Sequence, residues 1–140
     1  MSNIVNTEFD NEVRVQNDLK RSIELKQENH TPLNDAEIKY LCPVATKKRI
    51  VKSEIAKLGL SDHYAFVPTM KVVNDLRELG WDCVDAVQVK ARKKSTNGYQ
   101  KHMLTFEHPE YNVEGATEFP QLLLTNSHNG ENAFQLSAGI

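Results

Sequence analysis

Long apolar runs are missing from this sequence. Its aliphatic runs get no longer than Leu122-Leu123-Leu124, far short of the roughly 20 residues that cross a bilayer as a helix. No membrane association is expected. Cysteine is scarce: Cys42 and Cys83 are the only two, too few for a disulfide scaffold and without the spacing of a metal motif. Six glycines and five prolines exclude a collagen-like chain. The start, Met1-Ser2-Asn3-Ile4, has neither the basic nor the apolar stretch of a signal peptide, so a cytoplasmic location is expected. No P-loop, no G-x-G-x-x-G and no G-x-S-x-G elbow occurs. These absences leave no carrier for catalysis, so no catalytic residue, resident metal or cofactor is expected. Internal repeats and low-complexity tracts are absent as well. What remains is ordinary globular material: 140 residues, 39% hydrophobic and 26% charged, enough to bury a core without covalent staples.

Charge is the uneven property. The net charge of −2 divides into −3 over residues 1–40, +6 over residues 41–106 and −5 over residues 107–140. The last block holds no Lys or Arg. Residues 86–106 hold no Asp or Glu, but carry Lys90, Arg92, Lys93, Lys94 and Lys101. A second basic cluster is Lys47, Lys48, Arg49 and Lys52. Such clusters either solvate a surface or meet phosphate, where counterion release drives binding.

Periodicity gives an α+β fold, with helices first and an antiparallel meander after them. Residues 1–32 read as a polar helical arm, partly ordered, with the pairs Phe9, Val13 and Leu19, Ile23 each four apart and a slip between the pairs. Residues 33–140 form a single domain. Asn34 is placed to cap a helix over 35–41, and residues 47–58 show helical spacing closed by Gly59. Tyr64-Ala65-Phe66-Val67 reads as a short strand. Thr69 is placed to cap a helix over 70–79. Beyond Gly80, the residues Trp81, Cys83, Val87, Val89 and Ala91 share one parity and predict the buried side of a strand, interrupted at Val84 and Asp85. Ser95-Thr96-Asn97-Gly98 predicts a tight hairpin turn. Return strands follow over 99–106 and 119–125, and a fourth begins near 133–136. A helix is expected to pack on one face of this three- to four-stranded sheet.

Two groups of residues are candidates for function. One is the basic hairpin with the second cluster, together with Tyr99 as a base-stacking surface. The other is polar: Asn126, Ser127, His128 and Asn129 just past a buried strand, with His102 on the strand before. Asn and Gly at such a place also make a turn by bonding their own backbone. Two histidines lacking a carboxylate fall short of a zinc site, which needs three or four protein ligands.

Several segments resemble a known family. Tyr64-Ala65-Phe66-Val67-Pro68-Thr69, then Leu79-Gly80-Trp81, then Lys101-His102-Met103, are similar to segments of the phage- and plasmid-associated family called domain-of-unknown-function family 932. The Leu122-Leu123-Leu124-Thr125-Asn126-Ser127-His128-Asn129-Gly130 run and Ala133-Phe134-Gln135-Leu136 follow in the family's order. Asn129 stands where the family has Asp. Ile140 stands where its domain continues, so a short or truncated member is expected. No activity is generally assigned to the family, but its mobile-element setting implies nucleic-acid handling or counter-defence. The expectation is a non-catalytic, single-stranded-DNA-binding accessory of a phage or plasmid. One alternative is a protein-binding inhibitor of a host defence or replication complex, using Glu107, Glu110, Glu114 and Glu118 as a nucleic-acid mimic. Another is a metal-dependent enzyme centred on His102 and His128. Self-association through an open strand edge is also expected.

Overall fold

The computed structural model describes residues 2–61, 64–91, 94, 97–112, 115, 117–129 and 134–139. The chain divides into two compact units, Met1–Thr31 and Pro32–Ile140. The first is one continuous helix, α1 (Ser2–Glu28). His30, with φ of +53°, follows its end.

The second unit is α+β. Its elements are α2 (Asp35–Leu41), a 3-10 turn (Pro43–Thr46), α3 (Lys52–Lys57), α4 (Thr69–Glu78), β1 (Asp82–Gln88), β2 (His102–Glu107), β3 (Gln121–Asn126) and β4 (Gln135–Gly139). The strands form one antiparallel sheet in the order β1-β2-β3-β4. Helix α2 begins as its sequence requires: the Asn34 side chain accepts from the Glu37 amide, and the Glu37 carboxylate accepts from the Asn34 amide, both at 2.9 Å. This capping box satisfies two donors that the first turn leaves open. Ile38 of α2 and Val73 and Leu76 of α4 bury against Cys83, Ala86, Leu104, Phe106 and Leu124 of the sheet. Each such side chain contributes about 1.5–3 kcal/mol by leaving water.

Strand register orders the covered face into rows. Cys83, Phe106 and Leu122 are cross-strand partners, as are Ala86, Leu104 and Leu124. The next row is polar: Gln88, His102 and Asn126. Alternation along each strand therefore carries an apolar core directly into a polar one on the same face.

Several expectations need correction. Tyr64-Ala65-Phe66-Val67 pairs with no strand, because the Val67 carbonyl is taken by the Asn126 side chain (3.0 Å) and Pro68 has no amide to offer a ladder. The helix expected over 47–58 is confined to Lys52–Lys57, since Pro43 starts a separate 3-10 turn and residues 47–51 run extended. Thr69 does not cap α4: Pro68 holds the N-cap position, and the Thr69 hydroxyl points into the buried polar row. In β1 and just beyond it, Val87 and Val89 are each 51% exposed. Register shifts between Cys83 and Asp85, making Val84 the extra residue of a β-bulge. Cys83 and Val84 are both buried, and beyond them the parity reverses, so Ala86 points inward and Val87 outward. The tight hairpin is replaced by a longer connector, residues 89–101, closed by Val89 N–H donating to the Lys101 carbonyl (3.0 Å). Ser95 and Thr96 of the expected turn lie outside the described residues, whereas Gly98 takes φ of +95°. The first return strand starts at His102 rather than Tyr99.

Candidate nucleic-acid interface and the buried histidine cluster

The polar row is a directed network. His102 Nδ1 lies 3.1 Å from the Gln100 carbonyl, which can only accept, so Nδ1 carries the proton. Neutral Nε2 then accepts from the Thr69 hydroxyl at 2.6 Å. Thr69 Oγ1 in turn accepts from Asn126 Nδ2 at 3.2 Å. That same amide nitrogen donates to the Val67 carbonyl, and Asn126 Oδ1 accepts from the Ser127 amide at 2.9 Å. Every proton has one place to go. Burial holds the His102 ring below its ordinary pKa, with the Gln100 carbonyl acting weakly against it. A protonated Nε2 would have to turn the Thr69 hydroxyl around.

His128 stands beside this network. Its amide donates to the Tyr99 carbonyl at 2.8 Å, and its ring lies 4.6 Å from the Phe66 ring and 5.1 Å from that of His102. The side chain is fully buried, yet neither ring nitrogen meets a partner at hydrogen-bonding geometry. Burial, then the neighbouring His102 and Lys47, push its pKa down to about 4; the Val44 carbonyl offsets only part of this. The five polar residues are thus brought together in part: His102, Asn126, Ser127 and His128 are buried with Thr69 and Gln100, while Asn129 is half-buried. Among the described residues no group of three His, Cys, Asp or Glu side chains is arranged to hold a metal ion. Cys42 and Cys83 are buried thiols pushed up to about 11 and about 12 by desolvation, which keeps them protonated and unreactive.

The basic residues divide into two kinds. Lys47 is tied down: its ammonium pairs with Glu54 Oε2 at 3.1 Å and sits 4.4 Å above the Tyr99 ring. The Tyr99 hydroxyl donates to the same carboxylate. These two contacts, the tyrosine's first, hold the Glu54 carboxyl down at about 2, and the shared bond raises Tyr99 to about 12. Lys48, Arg49, Lys52, Lys90, Lys94 and Lys101 are exposed, and none makes an ion pair among the described residues. Arg92 and Lys93 lie outside the described residues. Thr69, Glu54 and Gln100 were not among the sequence candidates. No local pattern marks Thr69 and Glu54, whose partners His102 and Tyr99 lie 33 and 45 positions away, and Gln100 acts on His102 through a backbone carbonyl that any residue type would supply.

The family model called Domain of unknown function (DUF932) matches residues 59–140. The chain belongs to the DUF932 family. The matched segment contains the whole buried network and the basic connector, but not Lys47, Lys48, Arg49 or Lys52. Over 90 residues, 64% of this chain, it is 29% identical to the UPF0380 proteins YafZ and YfjQ of Escherichia coli strain K12. The chain spans about a third (32%) of the length of these curated relatives. No solved structure matches. No helix among the described residues is long and apolar enough to cross a membrane.

Proposed function

We propose that this DUF932 member is a non-catalytic nucleic-acid-binding accessory of a mobile element, holding single-stranded DNA through the connector between β1 and β2. The supporting observation is the set of exposed cations that make no ion pair among the described residues, Lys90, Lys94 and Lys101 on the connector, Lys48 and Arg49 ahead of α3 and Lys52 at its start. An unpaired surface lysine has only water and counterions to lose when it meets phosphate. Lys47 and Tyr99 take a supporting part, because Glu54 already engages both. The polar residues have a structural part: Asn126 has both amide protons and its carbonyl engaged within the fold. The sealed position of His102 and His128 favours the same view over a metal-dependent reaction there.

Anisotropy of a labelled oligonucleotide, single-stranded and duplex, at low and physiological salt tests the reading. Replacing Lys90, Arg92, Lys93 and Lys94 by Ala should weaken single-strand binding. It should also lower the salt slope by roughly 0.7 for each phosphate that is no longer neutralised. Unchanged affinity and slope would refute it. Capture of a host protein, with no nucleic-acid affinity even at low salt, would favour the inhibitor reading instead.

A further inference from the structure

A cleft of about 520 Å³ opens between α2, the segment after the 3-10 turn and the start of α4. Its size falls among those of small-molecule sites. Its walls carry four lysines from three separate parts of the chain: Lys39 from α2, Lys47 and Lys48, and Lys71 from α4. One carboxylate lines it, Asp35, and this is already bound by Arg77 Nη1 at 2.5 Å. Lys71 has only a long surface pairing with Asp75, 3.4 Å across one helical turn, a contact that contributes little in water. Lys39 and Lys48 make no ion pair among the described residues. Ala36, Pro68 and Met70 add apolar wall to the same cleft. Because the Thr69 hydroxyl is turned into the buried network, no side chain caps the first amides of α4 beside it.

We infer that this cleft is a binding site for the phosphate end of a nucleotide, with the lysines on the phosphate and the apolar wall against the sugar or base. Lys47 is already engaged by Glu54, but Lys39, Lys48 and Lys71 on three sides of one cleft, whose one carboxylate is bound by Arg77, suit a terminal phosphate group, which concentrates charge in one place as a diester backbone does not. The same chemistry is offered by a free nucleotide and by a phosphorylated strand end. Lys48 serves both this inference and the strand-binding reading, but Lys39 and Lys71 belong to the cleft alone and the connector lysines lie outside it, so the two can fail separately.

Calorimetric titration of the full chain with ADP, and anisotropy of one oligonucleotide with and without a 5′-phosphate, test it together. The cleft predicts saturable ADP binding that Lys39→Ala with Lys71→Ala weakens about tenfold or more. The connector substitutions Lys90→Ala, Lys94→Ala and Lys101→Ala should leave ADP binding as it was. Preference for the phosphorylated oligonucleotide, abolished in the cleft variant, would identify a strand end as the source; ADP binding without that preference would identify a free nucleotide. Both lysines are exposed, so an unchanged unfolding midpoint will certify the variant. The inference is overturned if ADP shows no saturable binding and the two oligonucleotides bind alike. It is also overturned if the cleft variant binds ADP as the parent chain does. Loss of strand binding in the connector variant, with ADP binding intact, would support both readings as separate sites.

Discussion

The two regions that drew attention in the sequence use their polar atoms in opposite ways. Around His102 and Asn126, each side-chain donor is aimed at an acceptor that the fold supplies, and both side chains are buried. On the connector, Lys90, Lys94 and Lys101 reach solvent and pair with no carboxylate among the described residues. A polar cluster can look like a site because its residues are held so firmly, and the firmness is what removes them from ligand binding. Cations that the fold leaves alone are the better place to look for a partner. His128 is the one member of the buried region that resembles the exposed one, since its ring is enclosed without being bonded.

The comparison breaks most readily at Asn126. Asn126→Ala would leave the Val67 carbonyl and the Ser127 amide without their partner and weaken the hold on Thr69. The expected loss is about 4 kcal/mol, summed from orphaned buried groups, read as a shift in urea midpoint. A loss below about 1 kcal/mol would mean that water replaces the side chain there. His128 gives the next effect through acid. Its folded pKa of about 4 lies below the ordinary 6.5, so above that ordinary value both folded and unfolded chains hold it neutral and its stabilisation is complete. As pH falls towards 4, the unfolded chain takes up a proton that the folded chain refuses, and up to about 3 kcal/mol disappears. His102 shifts in the same direction. His128→Leu should flatten this part of the pH profile while changing stability near neutrality by less than about 1 kcal/mol, because no bond to the ring is removed. Thr69→Val ranks third, at about 2 kcal/mol, for removing the hydroxyl between His102 and Asn126. The connector substitutions come last for stability, within about 0.5 kcal/mol, although they should have the largest effect on nucleic-acid affinity. A connector variant that unfolds easily would dissolve the contrast between the regions.

Much of the fold was legible in the sequence where its causes are local. The Asn34–Glu37 box starts α2 from residues three apart. The apolar spacing of Val73 and Leu76 faces α4 to the core. The order of the strands follows from alternation and turn residues. What was not legible depends on residues far apart. Thr69 looks like a cap to its neighbours, but its partner His102 is 33 positions away. Tyr99 looks like a free aromatic beside lysines until Glu54, 45 positions earlier, is brought to it. His102 and Asn126 could be singled out as residue types, but not their satisfaction by Val67, Thr69 and Gln100. The outward turn of Val87 was hidden for a different reason: alternation assumes an unbroken pleat, and Val84 breaks it.

That break has a consequence for how this chain tolerates changes in length. Deleting one residue at Val84 would restore the uninterrupted pleat upstream. It would leave Cys83 opposite Phe106 and Ala86 opposite Leu104, both still facing the helices, and would remove only the buried Val84 side chain. A residue added or removed within 90–97 should do far less, because the bonds that Tyr99 and Gln100 make to His128 and His102 lie outside that stretch. Among relatives of this chain, length changes should therefore gather in the connector, and a relative lacking a residue at Val84 should keep the same covered row.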